Sequence, residues 1–179
     1  LCMSNKKSKI QLFDIFGKAL IELHNKDNSL YSWPRNRISL THALAMHLQT
    51  LIAPNDQDCN ADLVAGLLKA SNTLNPDILV HNRETNTQFL TVICRNDYLT
   101  EQEQALLQNY QKTSSCELVL ALSFMPQKNY MLIYVANQDS IEYYHFKRNT
   151  LTIEPVRMRT IENKKEKSGQ LTLNKIIKK

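Results

Sequence analysis

Residues 75–82 read Asn75-Pro76-Asp77-Ile78-Leu79-Val80-His81-Asn82, and residues 89–95 read Phe89-Leu90-Thr91-Val92-Ile93-Cys94-Arg95. Both runs are rich in β-branched and aliphatic side chains, and the polar residues 83–88 between them supply a turn. They predict a hairpin with strands at residues 77–82 and 89–95. An acid directly after a proline, as at Asp77, has an ordinary reading as a turn or strand-start residue, and a second reading as a placed carboxylate.

Towards the N-terminus the periodicity changes. Leu12, Phe13, Ile15, Phe16, Ala19, Leu20 and Leu23 recur at three- and four-residue spacing, so residues 10–25 predict an amphipathic helix. Residues 26–37, with Asp27, Asn28, Ser32 and Pro34, read as a loop. Ser39 is a fitting N-cap for a second helix at residues 40–52, stopped by Pro54. Residues 60–71 fit either a helix or a short strand entering the hairpin.

Towards the C-terminus, Thr100 followed by Glu101 and Glu103 marks a helix start, with Ala105, Leu106 and Tyr110 as its apolar stripe. The nearly continuous apolar run at residues 117–125 predicts a strand covered on both faces. Shorter strands follow at 130–136 and 141–146, and residues 151–156 add an edge. The order is helix, helix, hairpin, helix, strands, an α/β arrangement around a mixed sheet. Residues 1–162 read as one domain and residues 163–179 as a basic tail, with a weak apolar pattern, that orders on a partner.

The chain has 179 residues, 42% hydrophobic and 22% charged, which suits one domain with a real core. Its net charge of +5 is unevenly placed. Residues 157–179 carry eight Lys or Arg against two Glu, residues 1–9 carry three Lys, and residues 10–156 carry 11 basic against 15 acidic residues. Phosphate contact is therefore expected from the tail and from local cations rather than from the whole body.

Three glycines, Gly17, Gly66 and Gly169, lie far apart. That excludes the phosphate-binding loop, the dinucleotide fingerprint and the nucleophile elbow, all of which need closely spaced glycines. Cys2, Cys59, Cys94 and Cys116 form no Cys-x-x-Cys pair, which removes zinc-ribbon and dithiol readings. Asp14, Lys18 and Glu22 interrupt the first apolar stretch, so no secretory signal is visible and no stretch is apolar enough for a bilayer. A reducing cytoplasmic location is the expectation, with no membrane partner.

The Pro-Asp strand, the hairpin, the helices before it and the helix and buried strand after it together resemble the core of the PD-(D/E)xK nuclease superfamily, over residues 40–146. Residues 40–48 are similar to the helix that precedes the hairpin in bacterial members. Residues 99–110, with Gln104, Gln108 and Tyr110, are similar to the helix after the active-site strand in the N-terminal nuclease domains of type I restriction subunits. The resemblance implies a restriction-endonuclease-like fold: a mixed central sheet flanked by helices, two of them N-terminal.

In that family an Asp opening one strand and an acid on the next converge on Mg²⁺, a hard cation that takes oxygen ligands. A Lys two residues beyond the acid shares its face of the strand and acts on the water or the scissile phosphate. This chain departs from the pattern. Ile93 stands at the acid position, Arg95 at the Lys position, and Arg37 near the upstream Glu. Asp77 alone remains of the metal carboxylates, and arginine cannot serve as a base. The resemblance thus implies a nuclease-like protein with a degenerate site, binding nucleic acid or a partner protein without cleavage, with Asp77 and Arg95 as vestigial catalytic positions. No cofactor is then needed.

Two alternatives stay open. An active Mg²⁺-dependent endonuclease would recruit a migrated acid beside Asp77, from Asp62, Glu84 or Asp97. A protein-interaction subunit of a bacterial restriction or defence complex would keep the fold alone. Candidate nucleic-acid contacts are Arg37, Lys164, Lys165 and Lys167. Trp33 reads as closing over the core, or as stacking on a base. His42 and His47, about 140° apart on a helix, cannot share a metal from one face. His81 reads as a sheet-surface residue, and Cys94 as a buried thiol.

Overall fold

The computed structural model describes residues 7–54, 58–64 and 75–156. The helix α1 (Lys9–Asp27) opens on a capping box: the Ser8 hydroxyl accepts from Gln11 N–H, and the Gln11 side chain accepts from Ser8 N–H at 2.8 Å. Its Leu12, Phe16, Ala19, Leu20 and Leu23 are buried. Gly17 lets α1 approach the sheet, since a Cβ there would stand 3.0 Å from Ile153 Cδ1.

The expected loop at 26–37 is partly helical. Residues Asn28–Ser32 form a short 3-10 helix, and α2 spans Asn36–Ile52. Ser39 is therefore not its cap but lies inside the first turn. Arg35, in the left-handed region at φ 56°, turns the chain into the helix instead. Trp33 does not close over the core; it is 54% exposed.

Seven strands follow: β1 (Cys59–Leu63), β2 (Ile78–Asn82), β3 (Thr87–Arg95), β4 (Leu118–Ser123), β5 (Tyr130–Ala136), β6 (Ile141–Lys147) and β7 (Thr152–Pro155). They form one sheet in sequence order. Residues 59–63 are thus a strand, which resolves the helix-or-strand ambiguity for the described part of residues 60–71. The β2–β3 turn is built by Asn82, whose side-chain oxygen accepts from the N–H groups of Glu84 and Thr85, and by Asn86 at φ 56°.

All neighbouring strands pair antiparallel except β3 and β4, which are parallel. Parallel neighbours require a crossover, and α3 (Glu101–Thr113) lies within it. Thr100 caps α3 in a second capping box with Glu103. Among the described residues the result is a mixed α/β architecture with a seven-stranded sheet and three α-helices.

The sheet separates two apolar clusters. On one face α1 and α2 pack Phe16, Leu20, Leu44 and Leu48 against Ile78, Val80, Val92, Cys94 and Leu120. On the other, α3 covers Ile93, Val119, Ala121 and Tyr134 through Leu107 and the adjoining Leu99. Burying a Leu or Phe side chain fully contributes roughly 1.5–3 kcal/mol, so the larger α1–α2 cluster carries more of the stability. No helix among the described residues is long and apolar enough to cross a membrane. Residues 157–179, with Lys164, Lys165 and Lys167, lie outside the described residues.

Candidate functional site

The carboxyl-terminal ends of β3 and β4, the start of β2 and the first turns of α2 and α3 meet along one end of the sheet. Asp77, immediately before β2, stands there. Its backbone N–H donates to Val92 O at 2.9 Å, and its carbonyl accepts from Val64 N–H at 3.0 Å, so its backbone position is held on both sides.

Among the described residues the Asp77 carboxylate has three donors. Arg37 Nη1 is 3.1 Å from Oδ1, Arg95 Nη1 is 3.4 Å from Oδ2, and the backbone N–H of Cys94 donates to Oδ2 at 2.7 Å. The two arginines come from opposite layers. Arg37 is on α2, whereas Arg95 follows Ile93 at alternate spacing on the α3 face of β3. Both also donate to Cys94 O, at 3.3 and 2.9 Å, so the guanidinium groups are tied to the end of β3.

Arg95 has a second acid. Its Nε donates to Glu103 Oε1 at 2.8 Å, while Glu103 Oε2 accepts from Thr100 N–H at 3.0 Å. Burial pushes the Glu103 carboxyl up, but the Thr100 N–H and the Arg95 guanidinium outweigh it and leave it below the ordinary value. Glu103 was legible only as a capping residue, a role it does perform. Its second role appears when α3 folds back on β3.

Ile93 is 1% exposed and packs beneath α3. The position where an acid was sought is thus part of the second apolar cluster. A carboxylate there would need a partner to offset its desolvation. Cys94 lies on the opposite face, fully buried, and burial, reinforced by the neighbouring Asp77 charge, pushes its thiol up to about 12. It is an inert core residue, not a nucleophile.

The proposed migrated acids fall elsewhere. Asp62 is on β1, opposite Leu79, and shares the Asp77 face of the β1–β2 pair. Its carboxylate turns to His81, at 2.8 Å, and to Arg83, whose Nε donates at 2.7 Å. These partners hold it down to about 2. Glu84 is exposed in the hairpin turn, at the opposite end of β2 from Asp77. Asp97 is exposed, and its carboxylate accepts from Tyr98 N–H at 2.8 Å. Among the described residues no group of three or more His, Cys, Asp or Glu side chains is placed to hold a metal ion.

The remaining candidates also have defined places. His47 Nε2 is 2.6 Å from Asp27 Oδ2, and His42 is exposed. Gln104 donates to Leu99 O and accepts from Tyr143 OH, while Tyr110 donates to Gln88. These contacts hold α3 on the sheet.

Chemically, the Asp77 arrangement is a carboxylate enclosed by two permanent cations. It offers guanidinium N–H groups to an incoming anion, and Arg37 and Arg95 remain 40% and 34% exposed. The carboxylates beside its two arginines, Asp77 and Glu103, already accept hydrogen bonds. Comparison with protein-family models, curated proteins and solved structures gives no match to this chain.

Proposed function

We propose that this chain is a nuclease-like protein of the PD-(D/E)xK type whose centre binds a phosphate of nucleic acid through Arg37 and Arg95 and does not cut. The observation that carries this reading is the double arginine clasp on Asp77. A Mg²⁺ ion brought to that carboxylate would meet two guanidinium charges, and Mg²⁺ needs a near-octahedral oxygen shell that this donor set does not supply. The topology supports the fold assignment. A mixed sheet, with α1 and α2 before the β2–β3 hairpin and α3 and the buried β4 after it, is consistent with the arrangement that the resemblance implies.

Guanidinium groups suit phosphate because their planar donors match its oxygens. The Asp77 and Glu103 carboxylates hold the arginines in place before a ligand arrives, and each Arg keeps N–H groups beyond those in its described bonds. Exposed cations of this kind give salt-sensitive binding without sequence preference.

The test is a pair of assays on one preparation. Oligonucleotides should bind by fluorescence anisotropy, with affinity falling between about 50 and 200 mM salt, and Arg37→Glu with Arg95→Glu should abolish it. The same oligonucleotides should stay intact with Mg²⁺ or Mn²⁺. Cleavage lost in Asp77→Ala would overturn the reading in favour of an active centre joining Asp77 to Asp62. That rival is motivated by Asp62 lying on the strand beside β2.

A further inference from the structure

Beyond the two arginines, the same end of the sheet carries an aromatic cluster on the α3 face. Tyr98, just after β3, is 49% exposed. Its hydroxyl is 2.8 Å from that of Tyr130, the first residue of β5. Tyr130 in turn lies against His145 of β6, with ring centroids 4.3 Å apart and planes tilted by 38°. The three rings therefore run from the end of β3 across to β6.

Lys128 joins the row. Its Nζ is 2.7 Å from the Tyr98 hydroxyl and 3.2 Å from that of Tyr130. It is 4.8 Å from the Tyr98 ring centre, farther than from the hydroxyl, so it sits towards the oxygen end and does not cap the ring face. An ammonium has three donors, and among the described residues the two phenols take two of them. The third is available to a phosphate. The turn that carries Lys128 is braced: its N–H donates to Met125 O, and its carbonyl accepts from Arg148, which lies over the Tyr31 ring at 4.1 Å.

Two independent trends favour these rings as a stacking surface. Burial leaves His145 below its ordinary value, and the neighbouring Lys147 adds to that, which favours the uncharged ring. Lys128 lowers the Tyr98 hydroxyl's value and fixes the ring through it. A ring held at its hydroxyl while half its surface is exposed loses little further freedom when a base stacks on it.

Arg95 and this row belong to neighbouring strand ends on one face. At about 4.8 Å per strand, β3 to β6 spans roughly 14 Å, enough for a short run of nucleotides whose unpaired bases can turn their faces to the rings, as the mutually stacked bases of a duplex do not. We propose that Tyr98, Tyr130, His145 and Lys128 form a track for single-stranded nucleic acid that continues from the Arg37–Arg95 phosphate site. This rests on the nucleic-acid reading above and specifies the strandedness of its ligand. The aromatic faces would take bases without sequence preference, while Lys128 takes a phosphate between them.

The experiment measures anisotropy with a single-stranded oligothymidylate and with a duplex of similar length, on the whole chain. Tyr98→Ala should weaken single-strand binding about 10-fold, within the range for loss of one stacked base. The duplex should bind more weakly than the single strand and lose less in that variant. Tyr98→Phe, which keeps the ring and loses the hydroxyl, should restore most of the affinity, and circular dichroism should show both variants folded. Equal loss for single strand and duplex would overturn the track. So would single-strand binding that survives Tyr98→Ala but is lost in Arg37→Glu with Arg95→Glu, a result that leaves the phosphate site standing. Binding of neither nucleic acid by the unaltered chain would overturn both proposals.

Discussion

Asp62 and Asp77 stand on the same face of neighbouring strands, and each holds an arginine, yet the two clusters are built differently. Asp62 takes Arg83 and His81 from the adjacent β2 hairpin, and Arg83 is 60% exposed. Asp77 takes arginines from α2 and from the end of β3, and also accepts a backbone N–H from a fully buried residue. The first cluster is a local surface feature. The second joins both helix layers to the sheet, so its loss is felt by three elements at once.

The largest difference is expected in stability. Asp77→Ala leaves the Cys94 N–H without its acceptor and two guanidiniums without their anion, which should cost about 2–3 kcal/mol after allowance for partial exposure. Asp77→Asn, which retains an acceptor for Cys94, should cost about 1 kcal/mol. Urea titrations of the two variants check this. Equal costs would mean that the Cys94 hydrogen bond contributes little.

The acid limb tests the other cluster. Asp62 is held down to about 2 from 3.8. A lowered carboxylate contributes stability above its unfolded value and loses it as pH falls through the folded one. The contribution should therefore fade between about pH 4 and pH 2, and solvent screening limits it to about 1 kcal/mol. Thermal melts should show this component in the unaltered chain and not in Asp62→Asn. Arg83→Gln should have the smallest effect, a loss of part of that contribution at neutral pH, because His81 still faces the Asp62 carboxylate. A loss well above ~1 kcal/mol would show that the Asp62 cluster is more than a surface pair.

Most elements were legible because their signals are local. Runs rich in β-branched and aliphatic residues mark β2 and β3, Thr100 and Glu103 mark the start of α3, and the apolar run of β4 reflects cover on both faces. The start of α2 was misplaced because Ser39 has the chemistry of a cap, while the actual turn rests on Arg35 in a left-handed conformation that arginine rarely adopts. Trp33 was misjudged because composition does not say which side of a loop faces solvent.

At the candidate site, Asp77, Arg95 and Arg37 were named through the resemblance, whose motif positions they fill, and not from the spacing of the residues alone. Glu103 could not be assigned to Arg95, because its capping role explains the residue completely. Tyr98, Lys128 and Tyr130 were invisible for a different reason. Tyr98 follows β3, whereas Lys128 and Tyr130 lie in the β4–β5 turn and at the start of β5, and the β3–β4 parallel pairing brings them together.

The central claim of the proposed reading is that Asp77 serves two arginines rather than a metal. Asp77→Asn separates the possibilities in one measurement: oligonucleotide affinity of the variant against the unaltered chain, with cleavage followed in the same Mn²⁺-containing samples. Removing an internal anion beside the phosphate site should tighten binding about 5-fold, from one charge at a screened distance of several ångströms, with no cleavage by either protein. Cleavage by the unaltered chain, abolished in Asp77→Asn without tighter binding, would contradict the account.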